Sequence, residues 1–496
     1  MTVLVQTTPQ SYRIQVAKTG LLVGTTYYVN EFVKDFNEWN WDHRNRRWVL
    51  VRKYRYYNPE TGMCHIPRYD LPRFLTWLKE RGIEYELKEV ALSQGVPIEL
   101  KMRPWFKPKD DLQAGAIEYL STSDDQVMGL GMQTGRGKTA TTIAVVARRQ
   151  KRTMIILPDD TLLQQWKDAI YDFTEIEEGD IYVIQGAPSL IKLFNGINKR
   201  YNPKIILASI GTLRNWVSDK EATVNYPAFE EMCEFLGVGV RVVDEGHKNF
   251  HTNLMMDLRA NAAVTIISTA TFEVSKPEIL RIFDQHYPVE MRYGTWDYKK
   301  YVDIFAYAYS SGYNVIPAHA YKSKEGYSHA KLEGWLLKNP SKLEVYWEEV
   351  ISPIVHSHYI NRAHAGKKML LLASTVAMCE WIAKRLRKEL QGYKVGVYVS
   401  ESEKDMLTDS DFIVSTPGSA GTGTDIKGLL ALLVTISIRS SQLNQQILGR
   451  LRELPDGMTP AMAYVYDMDI RQQVDHHKVR EDIFKKLALN YHSVQL

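Results

Sequence analysis

From Leu112 onward, short apolar runs alternate with stretches whose apolar positions recur at helical spacing. The runs at 127–132, 153–157, 181–184, 204–208, 238–243 and 264–267 read as strands covered on both faces. Continuous apolar runs separated by helices imply a parallel sheet with crossovers. A Tyr-rich, less regular stretch covers 287–321. A second series follows at 368–373, 393–399, 411–415, 429–436 and 461–466. The N-terminal part has a different texture. Residues 12–17 alternate like a strand, 31–39 like a short amphipathic helix, and 48–57 again like a strand, before the turn Asn58-Pro59-Glu60-Thr61-Gly62. Asp70-Leu71-Pro72 predicts a helix through Lys79, with Asp70 as N-cap and Gly82 as the stop. Residues 102–111, with Pro104 and Pro108, read as a linker. The expected fold is α/β: two tandem parallel-sheet domains preceded by a small basic α/β N-terminal domain. The expected bounds are 1–95, 112–287 and 300–496.

Composition adds limits. The chain has 496 residues, 45% hydrophobic and 24% charged, which is a globular balance and not that of a disordered or collagenous chain. No nearly apolar run much exceeds the ten residues 429–438, whereas a membrane span needs about 20. Residues 1–10 lack the basic start and apolar core of a signal peptide. A cytoplasmic protein with no membrane partner is therefore expected. Cys64, Cys233 and Cys379 are too few and too scattered for a disulfide framework or a zinc cluster. The 62 Lys/Arg exceed the 58 Asp/Glu by four, and residues 1–90 hold that whole surplus. Within them Arg44, Arg46, Arg47, Arg52, Lys53 and Arg55 interleave with Trp48 and Tyr54. Such a run neutralises phosphates while its aromatics stack on bases, although a solvated basic strand would look similar. Arg46, Arg47, Arg52 and Lys53 are the expected nucleic-acid contacts.

Two motifs carry chemistry. Gly131-Met132-Gln133-Thr134-Gly135-Arg136-Gly137-Lys138-Thr139 joins a strand-like run to a helix-forming stretch. Glycines there let backbone N–H groups face phosphate oxygens. Lys138 reaches the β- and γ-phosphates, and Thr139 ligates Mg²⁺. The strict pattern has Gly where Met132 stands. The second motif is Val242-Val243-Asp244-Glu245-Gly246-His247. Its acids fall at the C-terminal end of a buried strand, where open α/β sheets bind ligands. Asp244 can hold Mg²⁺ and Glu245 can orient or deprotonate the attacking water. An acidic pair after a strand is more often a helix cap; its place behind a phosphate loop gives it weight.

In their order and spacing these residues resemble superfamily 2 helicases of the DExH type. Gln113 is similar to the adenine-reading glutamine of that family, and 158–166 to its motif Ia. Ala208-Ser209-Ile210-Gly211-Thr212-Leu213 resembles the next strand-contacting motif, and Thr269-Ala270-Thr271 the segment coupling ATP to nucleic acid. Gly421-Thr422-Gly423-Thr424-Asp425 resembles motif V. Gln446-Ile447-Leu448-Gly449-Arg450 resembles motif VI with its arginine finger. The family usually has a second arginine three residues on, where this chain has Glu453; Arg452 lies one residue earlier. The N-terminal organisation looks like bacteriophage UvsW-type helicases.

The resemblance implies RecA-like domains, ATP and Mg²⁺ as cofactors, and Lys138, Asp244, Glu245 and Arg450 as catalytic residues. Gln113, Thr134, Gly135, Gly137, Thr139, His247, Gly423, Asp425, Gln446 and Arg452 join Lys138 and Arg450 around nucleotide. Thr139 and Asp244 hold the metal, and Thr212, Thr271 and Thr416 touch the strand. ATP would sit between the two α/β domains, with Arg450 reaching the γ-phosphate on closure. The implied activity is an ATP-dependent DNA helicase or translocase, a monomer acting on forked, branched or part-single-stranded DNA in replication, recombination or repair. A duplex translocase without strand separation and an RNA helicase remain open; intact motor residues argue against a non-catalytic DNA-binding protein.

Overall fold

The structure is a computed structural model. It describes residues 2–7, 11–16, 38–42, 47–51, 56–57, 63–133, 135–218, 227–270, 272, 277–294, 300–312, 315–323, 326–362, 366–399, 409–420 and 426–496. The chain divides into two units, Met1–Trp296 and Asp297–Leu496.

The first unit holds two main sheets. The smaller is mixed and five-stranded. It takes β1 (Thr2–Thr7) and β2 (Ser11–Val16), with the short hairpin β3 (Glu38–Asp42) and β4 (Arg47–Val51) outside it. It is completed by β5 (Tyr56–Tyr57), β6 (Cys64–Pro67) and, after helix α1 (Leu71–Glu80), β7 (Glu84–Glu89), in the order β5-β6-β2-β1-β7. Val5, Cys64, Ile66, Phe74 and Leu78 form its core. The helix expected over 31–39 falls mostly outside the described residues, and its last two, Glu38 and Trp39, begin β3 instead. Alternating Trp39 and Trp41 fit a pleat better than a helix. Asp70 occupies the N-cap position of α1, but its side chain makes no capping bond. It is buried, and burial pushes its carboxyl up to about 6.

The linker expected over 102–111 is in fact tied down. Arg103 N–H donates to the Phe173 carbonyl at 2.8 Å, and Glu175 N–H to the Lys101 carbonyl at 2.9 Å. Just upstream, Val96 N–H reaches the Gly237 carbonyl at 2.8 Å. The two prolines remove donors but leave this bonding intact.

The larger sheet is parallel throughout. After α2 (Asp111–Thr122) come β8 (Val127–Gly131), α3 (Lys138–Arg149), β9 (Thr153–Leu157), α4 (Thr161–Phe173), β10 (Ile181–Ile184), α5 (Gly186–Gly196), β11 (Ile205–Ser209) and α6 (Ile210–Ser218). Then follow β12 (Val240–Asp244), α7 (Phe250–Arg259), β13 (Val264–Thr269), α8 (Pro277–His286) and β14 (Arg292–Tyr293). The order is β10-β11-β9-β12-β13-β8-β14. The six apolar runs read from the sequence are six of its strands.

The second unit repeats the plan. Its elements are β15 (Asp303–Tyr309), the small hairpin β16 (Lys322–Ser323) and β17 (Gly326–Tyr327), α9 (His329–Leu337), β18 (Lys368–Leu372), α10 (Val376–Glu389) and β19 (Val395–Tyr398). It continues through β20 (Phe412–Ser415), β21 (Leu429–Val434), α11 (Ser441–Leu448), β22 (Ala461–Asp467), α12 (Arg471–Leu487) and β23 (Tyr491–Gln495). Its parallel order is β19-β20-β18-β21-β22-β15-β23. Strand β15 lies inside the stretch expected to be irregular. Tyr307 within it is buried, and its hydroxyl lies 2.8 Å from Nε2 of His358. Two parallel seven-stranded sheets flanked by helices are the architecture of tandem RecA-like domains.

Candidate active site

The phosphate loop leaves the buried end of β8 and enters α3 at Lys138. Gly135 and Gly137 adopt φ of +82° and +95°, which a side chain would resist. A Cβ on Gly137 would also stand 2.6 Å from Nε2 of Gln113. The Thr141 hydroxyl donates to the Gly137 carbonyl and that of Thr142 to the Lys138 carbonyl, each at 3.0 Å, fastening the first turn. The departure at Met132 has a physical explanation. Its side chain is buried in the apolar core, with its sulfur 3.7 Å from the Thr141 hydroxyl, so it does not occupy the loop's concave side. Thr134 lies outside the described residues.

Strand β12 is buried along its whole length and delivers Asp244 at its C-terminal end. Glu245 turns the chain with φ of +50°, a left-handed backbone uncommon for a residue with a side chain. Lys138 bridges both acids: its Nζ lies 3.2 Å from Asp244 and is hydrogen-bonded to Glu245. Burial alone would discharge Lys138, but the two carboxylates outweigh it and hold the ammonium above its ordinary value. Burial pushes Asp244 up, with Lys138 only partly opposing it. At Glu245 burial is outweighed by the lysine, and the carboxyl stays below its usual range.

Strand order makes this convergence possible. Strand β13 lies between β8 and β12, so Thr269 at its end stands beside both motifs. Thr269 donates to Glu245 at 3.5 Å and sits 2.5 Å from Nδ1 of His247, while its carbonyl accepts from Met132 N–H at 3.0 Å. His247 is buried, and burial lowers it to about 4, so it is neutral at pH 7. Asn253 on α7 donates to the Gly246 and Lys248 carbonyls, each at 2.9 Å, holding the turn after the acids. Neither Asn253 nor Thr269 was among the expected site residues. Thr269 stood inside a quoted motif, while Asn253 left no sequence signal.

Gln113 is 1% exposed and its amide is committed inward. It donates to the Gly137 carbonyl at 3.3 Å and the Thr141 hydroxyl at 3.0 Å, and accepts from Lys109 N–H at 2.7 Å. Asp110 caps α2 through Gln113 N–H at 2.9 Å and pairs with Arg136 of the loop at 3.2 Å. Thr139 is half-buried, one residue into α3. One carboxylate and one hydroxyl, Asp244 and Thr139, fit Mg²⁺, which binds through few protein oxygens and completes its shell with phosphate and water.

In the second unit Gln446 lies on α11, and Arg450 follows that helix by two residues, its N–H donating to the Ile447 carbonyl at 3.0 Å. The Arg452 side chain donates to the Gly449 carbonyl at the helix end. Thr212, in the first unit, has its hydroxyl 3.3 Å from that of Ser209 and accepts from Gly186 N–H at 3.2 Å. The Thr416 hydroxyl lies 3.1 Å from that of Ser419. Gly423, Asp425 and Thr271 lie outside the described residues, as do Arg46, Arg52 and Lys53. Arg47 pairs with Asp42 in the backbone ladder of the β3–β4 hairpin.

Comparisons with known proteins bear on the fold. The model of the family "Type III restriction enzyme, res subunit" matches residues 107–274, which form a helicase-type domain of the kind that supports ATP hydrolysis. Transcript termination protein A18 of Yaba-like disease virus is 25% identical over 343 residues, covering 65% of this chain and 64% of that protein. The A18 protein of Yaba monkey tumor virus is 24% identical over 353 residues, with the same coverage. The match thus spans under two-thirds of these relatives. Among solved structures, S. cerevisiae Dbp5 bound to RNA and ADP BeF3 is similar over 79% of this chain and 90% of its own, with a TM-score of 0.51 and 12% identity. T4 UvsW aligns with 100% of this chain and 99% of its own at 13% identity and a TM-score of 0.37. Among the described residues no helix is long and apolar enough to cross a membrane.

Proposed function

We propose that this protein is an ATP-driven motor on nucleic acid, and that its track is DNA with forks, branches or single-stranded regions. The observation that carries the reading is Lys138 bridging Asp244 and Glu245 beside a glycine loop at the ends of parallel strands. Bound ATP with Mg²⁺ supplies the phosphoryl group that passes to water. Gly135, Gly137 and the start of α3 present N–H groups to phosphate oxygens. Lys138 places its ammonium where phosphate charge accumulates. Thr139 and Asp244 offer the metal oxygens. Glu245, ionised at neutral pH, orients the attacking water, and Thr269 with His247 keeps that carboxylate in place. Arg450, from the second unit, neutralises charge on the γ-phosphate. Gln113 steadies the loop from behind through its inward-turned amide. Gln446, Arg452, Gly423 and Asp425 complete the second unit's share. Thr212, Thr271 and Thr416 contact one strand, and Arg46, Arg47, Arg52 and Lys53 grip duplex beside it. We read the protein as a monomer of the cytoplasm, in the host cell if it is virus-encoded.

A second reading makes the track RNA. It is favoured by the two relatives named as transcript termination proteins. ATPase stimulation measured with single-stranded, duplex, forked and four-way DNA and with RNA separates the two. Strongest stimulation by forked or four-way DNA, with strand displacement on a fork, supports the DNA motor. Stimulation by RNA alone overturns it, and fork-stimulated ATPase without displacement reduces it to a duplex translocase.

A further inference from the structure

Arg480 lies on α12 and is 1% exposed, and among the described residues no carboxylate pairs with it. Its Nε donates to Oδ1 of Asn444 at 3.0 Å, an Nη donates to the Ile436 carbonyl, and the guanidinium lies 4.9 Å over the Tyr464 ring. Asn444, itself 0% exposed on α11, passes the constraint on. Its Nδ2 donates to the Ile438 carbonyl at 3.1 Å and the Ser440 carbonyl at 2.9 Å. Ser440 caps α11 through Leu443 N–H at 3.2 Å. The loop after β21, the entry of α11 and α12 are thus joined at one buried polar point. From there α11 runs as an unbroken helix to the turn that carries Arg450, where Ile447 and Leu451 are both 0% exposed. A buried guanidinium without a carboxylate is costly, and apolar packing would hold two helices together without that cost. What the fork adds is direction, because it fixes two acceptors in one plane.

We propose that Arg480 is a positioning residue for Arg450, acting through Asn444 to fix the rotation and axial setting of α11. The inference rests on Arg450 being the γ-phosphate ligand. It locates part of the motor's catalytic competence in a side chain that touches neither nucleotide nor nucleic acid.

The test uses the full chain with saturating nucleic acid. Arg480→Lys keeps the charge but loses the planar fork that fixes Asn444 and Ile436 in one plane. Because misplacement by about 1 Å can cost 10²-fold, kcat should fall by about 10- to 10²-fold. KM for ATP and affinity for a non-hydrolysable analogue should stay within about twofold, since the phosphate loop belongs to the other unit. In an Arg450→Ala background Arg480→Lys should cost nothing further, because coupled residues are non-additive. An equal fractional loss of kcat in both backgrounds overturns the proposal and leaves Arg480 as a support of the folded population. Unchanged kcat in Arg480→Lys beside a collapse in Arg450→Ala overturns it alone. Unchanged kcat in Arg450→Ala overturns both it and the reading of Arg450. Asn444→Ser, which cuts the same link without altering a charge, carries the same comparison if Arg480→Lys does not fold.

Discussion

The two parallel sheets are built alike but hold their chemistry differently. In the first unit the reactive side chains touch one another: Lys138 bonds the acids, Thr269 reaches Glu245 and His247, and Gln113 grips the loop. In the second, Arg450 comes off the end of a helix whose own setting is fixed from a buried point several residues away. A charge network that neutralises itself can be preorganised within one sheet. On the proposed reading an arginine for a bound phosphate is placed by the helix it follows, so the setting of α11 decides where it stands.

Mutations should separate the two designs. The largest effect belongs to Lys138→Ala, which abolishes hydrolysis and leaves two buried carboxylates without their cation. Breaking a buried pair costs about 3–5 kcal/mol, so the melting temperature should fall along with ATPase while nucleic-acid binding persists. Normal turnover in this variant would remove Lys138 from the site. Arg450→Ala should lower kcat by about 10³–10⁵, and Arg452→Ala by less. A greater loss at Arg452 would transfer the finger to that residue. Glu245→Gln should keep analogue binding while turnover is lost, trapping a complex on nucleic acid. Loss of nucleotide binding there would make Glu245 a ligand and not the water-orienting group.

A smaller effect concerns pH. Unfolded His247 takes up a proton near 6.5, and in the fold only at about 4. Between those values the unfolded chain binds more protons, so stability present above pH 6.5 is lost as pH falls toward 4. Its size is up to roughly 3 kcal/mol. Urea unfolding of wild type and His247→Asn across that window should converge as pH drops; parallel curves would mean that His247 is not buried neutral. The smallest effect on ATPase is expected from neutralising Arg46, Arg47, Arg52 and Lys53 together. Duplex affinity should fall and its salt dependence flatten by up to about 0.9 log unit per lost phosphate contact, with ATPase on single strands kept. An unchanged slope would make the basic run a solvated face.

Strands were legible where apolar runs were continuous, as at Thr153–Leu157 and Leu429–Val434. They were not legible at β15, where the amphipathic Tyr307 takes a tertiary partner for its hydroxyl, nor at β23, which lies at a sheet edge with three of its five residues polar. The order of the strands left no trace at all.

Local chemistry is written in short segments: a glycine loop before a helix at Gly137-Lys138, an acidic pair after a buried strand, an arginine after a helix. These are properties of short segments, set by backbone freedom and hydrophobic period. Packing of the whole chain runs β13 between β8 and β12, which sets Thr269 against Glu245 and His247. It alone turned Gln113 inward and brought Arg480 from α12 to Asn444. Each of those contacts joins residues separated by a crossover or a whole element, and their partners are chosen by packing and burial, which no short stretch of sequence encodes.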